Sequence, residues 1–240
     1  TLEMDLQISK DKQVIVSHDP YFNEKITTTP DGEFLTKKES RKALLYNLPY
    51  SEIKKYDVGM KTNPDFPRKK NIPARVPLLS ELINEAEAHA KAKNRLMHYN
   101  IEIKATESGD YSEHPPVEEF VNLALKVIID GQISKRTMIQ SFDTRVLQIL
   151  HQKYPDMATS YLVNYKEKKP VSELVSALGF TPNVFSPDYR HVTAELVSYC
   201  HSLNMKVIPW TVNDIETMKS LKVMNIDGII TDYPDLFDQL

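Results

Sequence analysis

Cysteine is nearly absent from this sequence: the 240 residues contain one, Cys200, so no intrachain disulfide can form. Cys200 lies in the helical-looking run AELVSYCHSLN, which favours a buried structural thiol over a nucleophile. No apolar run approaches the roughly 18 to 20 residues that span a bilayer. The net charge of −3 is small, so the chain as a whole gives no general reason to expect nucleic acid or an anionic membrane as partner.

The sequence also shows neither an initiator methionine nor a leader, and its first residues, TLEMDLQIS, already have the pattern of a strand. We expect the natural protein to continue upstream, so this end leaves localisation open between the cytoplasm and the periplasm or exterior. What is present has ordinary globular composition, with 41% hydrophobic and 26% charged residues.

Strand-like runs alternate with amphipathic helical runs, a pattern typical of βαβ units and a parallel sheet. The predicted strands are 1–8, 97–103, 136–141, 157–163, 183–187, 205–211 and 226–231. The predicted helices are 80–92, 117–130, 143–153, 169–179, 191–203 and 214–223, with Ser80, Asp143 and Asn213 or Asp214 as N-caps. Seven units, one short of eight, predict an α/β fold: a single (β/α)8 TIM-barrel domain over 1–240 whose first βα unit lies outside this sequence.

Residues 19–76 interrupt this alternation. The segment is polar, contains six prolines and carries the turn signal PDG at 30–32. A structureless loop of this length is unusual inside a compact domain, so we predict an inserted subdomain or lid after a strand. An interdomain linker is the alternative, but the segment offers material for packing: Tyr21, Phe22, Leu44, Leu45, Tyr46, Ile53 and Tyr56.

Acidic side chains alternate with apolar ones in two of the predicted strands. Glu3 and Asp5 share one face of the first strand, and Glu102 and Lys104 share one face of MHYNIEIK. Helices cover barrel strands from outside, so these polar faces should point inward. Three converging carboxylates repel one another unless a cation holds them, and an all-oxygen set suits Mg²⁺ or Ca²⁺ better than zinc. Lys104 adds positive charge for an anionic substrate.

His18 follows the apolar run VIVS and precedes Asp19. A histidine beside a carboxylate can act as a general acid or base near neutral pH, although a loop histidine that caps a turn is the plainer interpretation. The other histidines are weaker candidates. We expect His89, His114, His151, His191 and His201 to be surface or packing residues.

A family resemblance now becomes visible. The run TLEMDLQISKDKQVIVSHDP closely resembles the signature of the glycerophosphodiester phosphodiesterase family, in which E-x-D precedes V-x-x-H-D. Here those elements are Glu3, Asp5, His18 and Asp19. The resemblance continues in order through YDVG (56–59), VPLL (76–79), NIEIK (100–104), QSFD (140–143), PWTVN (209–213) and DGIITDYP (227–234).

The resemblance implies a (β/α)8 barrel with an insertion after its second strand. It implies hydrolysis of glycerophosphodiesters to glycerol 3-phosphate and an alcohol, with Mg²⁺ or Ca²⁺ as cofactor. The implied partner is therefore a small-molecule substrate and not nucleic acid, while the oligomeric state and the head-group preference stay open.

The same resemblance implies roles for individual residues. The implied metal ligands are Glu3, Asp5 and Glu102. Lys104 is similar to the family's phosphate-binding lysine, and His18 to one of its two catalytic histidines. Phe142 and Trp210 resemble the apolar wall that packs against the glycerol moiety.

One part of the family pattern has no counterpart in these 240 residues: the H-R pair of the first strand, with an E-N-T motif after it. The pair supplies the second histidine and an arginine, and we expect it upstream, within roughly 30 residues. Three alternatives stay open. They are a catalytically impaired barrel that binds phosphodiesters, a phospholipase D-like relative, and a TIM-barrel enzyme of other chemistry. The single cysteine speaks against disulfide-tied venom enzymes of the second group.

Overall fold

The structure is a computed structural model that describes residues 1–240. Its internal contacts divide the chain into two compact units, Thr1–Thr137 and Met138–Leu240. No helix in either unit reaches the length and hydropathy that a membrane-spanning segment needs.

Three strands form the sheet of the first unit. β1 (Leu2–Ile8) pairs in parallel with β3 (Tyr99–Ile103) and antiparallel with β2 (Val14–Val16). The turn between β1 and β2 is closed by the Ser9 hydroxyl, which donates to Asp11 at 2.6 Å, and Lys12 takes a positive φ of 60°. The predicted strand over 1–8 is confirmed, and the VIV run forms a hairpin with it.

Two long helices cover this sheet. They are α3 (Leu79–Ala92) and α4 (Val117–Asp130), close to their predicted bounds. Apolar residues of α4 such as Phe120 and Ala124 are fully buried, as are Ile101 and Ile103 of β3. Burial of such side chains is the main favourable contribution to folding, roughly 1.5 to 3 kcal/mol for each large one.

The predicted N-cap of α3 is wrong by two residues. The helix begins at Leu79, and Leu78 rather than Ser80 occupies the cap position. The physical reason is that the Glu81 carboxylate accepts a hydrogen bond from the Leu78 N–H at 3.2 Å, which satisfies a free donor at the helix start.

Residues 19–76 contain short helices around a small apolar core. The helices are α1 (Lys37–Ser40), α2 (Tyr50–Ile53) and a 3-10 turn at Leu45–Asn47. The buried cluster consists of Ile15, Phe22, Leu45, Tyr50, Ile53 and Val76. The ring of Tyr56 stacks on Phe22 at 3.9 Å between centroids. The segment is therefore packed, as its apolar residues indicated; its role as an inserted subdomain or lid stays a prediction.

The second unit repeats the strand–helix alternation. β4 (Thr137–Ser141), which starts at the unit boundary, pairs in parallel with β5 (Ala158–Val163), β5 with β6 (Val184–Pro187), and β6 with β7 (Lys206–Val207). The helices are α5 (Thr144–Lys153), α6 (Val171–Leu178), α7 (Ala194–Ser202) and α8 (Ile215–Val223). The predicted caps Asp143 and Asp214 both accept backbone N–H groups of their helices. Further 3-10 turns in the chain are Glu107–Gly109, Ser134–Arg136, Tyr189–His191 and Pro234–Gln239.

The predicted strand at 226–231 is not formed, and the predicted strand at 205–211 shortens to β7. The two runs still lie side by side: Asp227 N–H donates to Val207 O and Ile230 N–H to Pro209 O, each at 2.9 Å. Pro209 has no N–H, so a regular ladder cannot pass through it. The structure has seven strands, the predicted number, but β2 (Val14–Val16) takes the place of the predicted strand at 226–231 in that count.

Candidate active site

The register of β1 and β3 brings together the three acidic residues that the sequence singled out. Asp5 pairs with Glu102, and Glu3 pairs with Asn100, two residues earlier on each strand. Residues two apart on a strand share a face, so all three carboxylates point the same way. Carboxylate oxygens of Glu3, Asp5 and Glu102 lie within 4.8 Å of one another.

Burial increases across this cluster. Glu3 is exposed, Asp5 is partly buried, and Glu102 is only 6% exposed. Burial disfavours the charged carboxylate and, with added repulsion from Asp5, raises the pKa of Glu102 well above its usual range despite the opposing charge of Lys104. The cluster thus lacks enough positive charge of its own to keep every carboxylate ionised.

Lys104 supplies the positive charge inside the cluster. Its Nζ lies 3.3 Å from Glu102 Oε1 and 3.6 Å from Asp5 Oδ1. Burial of the lysine opposes its charged form, but the carboxylates of Glu102 and Asp5 outweigh that effect and raise the pKa of Lys104. Lys104 therefore remains an ammonium group at neutral pH, held beside the two acids.

The donor set fits a hard divalent cation. The cluster contains three carboxylates and one ammonium group, which leaves excess negative charge when all are ionised. All the candidate ligand atoms are oxygens, the type that Mg²⁺ and Ca²⁺ prefer. Their mutual spacing lets oxygens from all three side chains reach one ion.

His18 lies just beyond the end of β2, with its side chain exposed. The preceding residue, Ser17, donates its N–H to the carbonyl of Asp5 at 2.9 Å, which holds this part of the chain against β1. The Nδ1 atom of His18 is 3.4 Å from Asp19 Oδ1, and Asp19 accepts a second bond from Asn23 at 2.7 Å. Hydrogen bonding to Asp19 raises the pKa of His18.

The two aromatic candidates, Phe142 and Trp210, lie together in the second unit. Their rings meet edge to face, with centroids 5.4 Å apart and an interplanar angle of 89°. The indole N–H of Trp210 donates to the carbonyl of Ser186 at 2.9 Å, which fixes the ring's orientation. Phe142 remains 39% exposed, so the pair presents an apolar surface to solvent.

The sequence predicted only that His114 is a surface or packing residue, and the structure shows the contacts of its ring. It is buried, its Nε2 accepts the N–H of Thr106 at 3.0 Å, and its Nδ1 donates to the carbonyl of Pro115 at 2.8 Å. The ring thereby ties together the loop that directly follows Lys104. The only signal in the sequence was a histidine before two prolines at a helix start.

Comparison with known proteins shows which family the chain resembles. The model of the glycerophosphoryl diester phosphodiesterase family matches residues 1–236. A glycerophosphodiester phosphodiesterase of Bacillus subtilis (strain 168) is 30% identical over 246 residues, which cover 100% of this chain and 75% of that protein. One from Caldanaerobacter subterraneus is 30% identical over 234 residues, 98% of this chain and 82% of that protein.

Solved structures agree on the fold. A putative glycerophosphoryl diester phosphodiesterase from Silicibacter pomeroyi superposes with a TM-score of 0.87 at 27% identity, covering 100% of this chain and 84% of that one. An Oleispira antarctica phosphodiesterase in complex with sn-glycerol-3-phosphate superposes with a TM-score of 0.73 at 21% identity, covering 98% and 84%, a likeness of fold alone.

The chain belongs to the glycerophosphoryl diester phosphodiesterase family. The predicted α/β TIM-barrel fold is confirmed by the structural matches. The predicted enzyme class, a phosphoric diester hydrolase, is confirmed by the family match and by relatives that align over the whole chain. A TIM-barrel enzyme of other chemistry is thereby excluded.

Proposed function

We propose that this chain hydrolyses glycerophosphodiesters to glycerol 3-phosphate and an alcohol by acid–base catalysis that depends on a divalent cation, Mg²⁺ or Ca²⁺. The observation that carries the proposal is the cluster of Glu3, Asp5 and Glu102, whose oxygens lie within 4.8 Å of one another, with the ammonium group of Lys104 beside Asp5 and Glu102. Glu3, Asp5 and Glu102 would hold the cation, and its positive charge would supply Lewis-acid stabilisation of the phosphate oxygens.

Lys104 binds the phosphate in this proposal. Its ammonium group is largely buried and keeps its charge because Glu102 and Asp5 flank it. A fixed positive charge in a partly dry site stabilises the negative charge that develops on the non-bridging oxygens. The same two contacts hold the lysine in one orientation before substrate arrives.

His18 transfers a proton. It is exposed at the end of β2, so it can exchange protons with solvent, and Asp19 orients its Nδ1 and leaves Nε2 for the substrate. As a base it takes a proton from the attacking group; as an acid it gives one to the oxygen of the leaving alcohol. The attacking group is either water or the neighbouring glycerol hydroxyl, the latter through a cyclic phosphate.

Phe142 and Trp210 bind the glycerol in this proposal, because their edge-to-face pair offers an exposed apolar surface of fixed orientation. The carbon side of a glycerol moiety packs on such a surface while its hydroxyls remain free for polar partners. This role selects the glycerol half of the substrate and leaves the alcohol half unconstrained.

The test follows glycerophosphocholine and glycerophosphoethanolamine by ³¹P NMR with the full-length gene product. Glycerol 3-phosphate should appear, chelation by EDTA should stop its release, and Mg²⁺ or Ca²⁺ should restore it. Release of phosphocholine would show cleavage of the wrong ester bond. Tight substrate binding without turnover would favour the binding-protein alternative.

A further inference from the structure

Positive charge is concentrated in residues 19–76. This segment holds twelve of the chain's 30 Lys and Arg residues but only eight of its 33 Asp and Glu residues. Its net charge is therefore +4 in a chain whose total is −3. A separation of charge of this kind points to a partner that carries the opposite sign.

Three stretches of this segment lie side by side. Thr28 forms bridges to both Phe34 and Asp57, and Val58 N–H donates to the carbonyl of Ala74 at 2.8 Å. The Asp57 carboxylate also accepts the N–H of Ala74 at 2.9 Å. The residues around 28–34, 57–61 and 72–74 thus form one continuous surface.

Large apolar side chains are exposed on this surface. Phe34 is 61% exposed, Met60 49% and Ile72 62%. The backbone beside Met60 lies close to the backbone of Ile72. A Cβ atom placed on the preceding residue, Gly59, would be 2.0 Å from the carbonyl oxygen of Ile72. Scattered apolar residues need no explanation, but three on adjoining stretches do.

Basic side chains surround these apolar residues. Lys61 Nζ lies 4.3 Å from the centre of the Phe34 ring, and Lys69 Nζ donates to the carbonyl of Gly59 at 2.7 Å. Lys70 follows on the same stretch and is exposed.

Lys37 and Lys38 are exposed at the start of α1, three and four residues after Phe34. We define the basic–apolar patch as Phe34, Lys37, Lys38, Met60, Lys61, Lys69, Lys70 and Ile72.

Acidic residues weaken the positive charge of the patch only partly. The Asp57 carboxylate accepts the backbone N–H groups of Gly59, Met60 and Ala74 and keeps its negative charge, while Asp65 pairs with Lys25. Asp31, Glu33 and Glu39, all exposed, are close to Phe34 and Lys38 along the chain. Lys37, Lys38, Lys69 and Lys70 are exposed, whereas Lys61 is half-buried and donates to the carbonyl of Glu24. Residues 19–76 as a whole keep their net charge of +4.

We propose that the basic–apolar patch binds the surface of an anionic lipid bilayer. The negative potential of such a surface attracts lysines, and each lysine near it raises the protein's affinity for the bilayer roughly fivefold. The apolar side chains enter the boundary between head groups and acyl chains. A nucleic acid would use the lysines but would leave the aliphatic side chains of Met60 and Ile72 in water. The rest of the chain carries more acidic than basic residues, so the bilayer repels it and the patch faces the lipid.

Vesicle flotation with the full-length protein tests this proposal. We expect binding to vesicles of equal parts phosphatidylglycerol and phosphatidylcholine, little binding to phosphatidylcholine alone, and release by about 0.5 M salt, at which charges are screened within a few ångströms. The apolar triple variant Phe34→Ser/Met60→Ser/Ile72→Ser should bind at least tenfold more weakly. The lysine triple variant Lys37→Gln/Lys38→Gln/Lys70→Gln should do the same.

Matched controls use residues of the same kinds elsewhere. Leu96→Ser/Ile129→Ser/Val223→Ser changes three exposed apolar residues, and Lys91→Gln/Lys93→Gln/Lys135→Gln changes three exposed lysines. Both control variants should bind vesicles like the unchanged protein. All four variants should keep the thermal midpoint, because every altered side chain is exposed.

Several results would overturn the proposal. Among them are equal binding to both kinds of vesicle, patch variants that bind normally, and controls that lose binding to the same extent. Binding to duplex DNA that the apolar triple leaves unchanged would assign the patch to nucleic acid. A concentration-dependent dimer abolished by the apolar triple would assign it to a second copy. Hydrolysis of soluble substrate is measured without vesicles, so this inference and the proposed function fail independently.

Discussion

Asp5 and Glu102 occupy partner positions on the parallel strands β1 and β3, and the ammonium group of Lys104 lies 3.6 Å from the first carboxylate and 3.3 Å from the second. Burial and the neighbouring Asp5 carboxylate raise the pKa of Glu102, and both carboxylates raise the pKa of Lys104. A change at any of the three should therefore alter both cation binding and phosphate binding, in directions that the geometry specifies.

Glu102→Gln should weaken binding of Mg²⁺ and Ca²⁺, since it removes the most buried carboxylate of the cluster while keeping its shape. Calorimetric titration of both ions into the unchanged and variant proteins measures this. Equal affinity in the two proteins would remove Glu102 from the proposed ligands.

Lys104→Met should lower activity on glycerophosphodiesters and, at the same time, raise cation affinity. The substitution removes the charge that would bind phosphate, while it leaves the carboxylates without their nearby competitor for the ion. We expect at least a tenfold loss in kcat/KM, the loss expected for one charge-assisted contact. A variant with weaker cation binding and normal KM would contradict the assignment of Lys104 to the phosphate.

His18→Ala should lower kcat by roughly 100-fold or more, the range for loss of a general acid or base. The thermal midpoint should change little, because the side chain is exposed at the end of β2. His201→Ala is a matched control, a histidine that also contacts a carboxylate, Asp227, at 2.9 Å. Near-normal kcat in the His18 variant would show that it transfers no proton.

Asp19→Asn should move the limb of the pH profile that belongs to His18 toward lower pH. Asp19 raises the pKa of His18, so its neutral replacement lowers that pKa. If His18 is the acid, activity is lost as pH rises through the pKa; if it is the base, activity is lost as pH falls through it. In both cases the limb moves downward, and an unchanged profile of kcat/KM would show that the 3.4 Å contact has no role in catalysis.

Phe22→Ala should destabilise the protein by about 3 to 5 kcal/mol, the cost of removing a large buried aromatic side chain. Phe22 is 2% exposed and stacks on Tyr56 inside the core of residues 19–76. Phe34→Ala, at a 61% exposed position of the same segment, is the control and should cost less than about 0.5 kcal/mol. Equal midpoints in urea unfolding would mean that this segment does not contribute to the stability of the fold.

Features that depend on local pattern could be predicted from the amino-acid sequence. Alternation with a period of two placed Glu3 and Asp5 on one face of β1, and helical periodicity located α3 to α8 within a few residues. The caps Asp143 and Asp214 follow from their own side chains and the next turn of backbone. These features follow from sequence because the interacting groups are near neighbours along the chain.

Features that depend on pairing between distant segments required the three-dimensional structure. The register that sets Asp5 beside Glu102 and the loss of a regular strand at 226–231 opposite Pro209 each require a partner far along the chain. The basic–apolar patch also depends on pairing between separate stretches. Thr28 pairs with Phe34 and Asp57, and Val58 donates to the carbonyl of Ala74. A pKa such as that of Glu102 depends on burial and on neighbouring charges, and both are properties of the packed chain rather than of its local sequence.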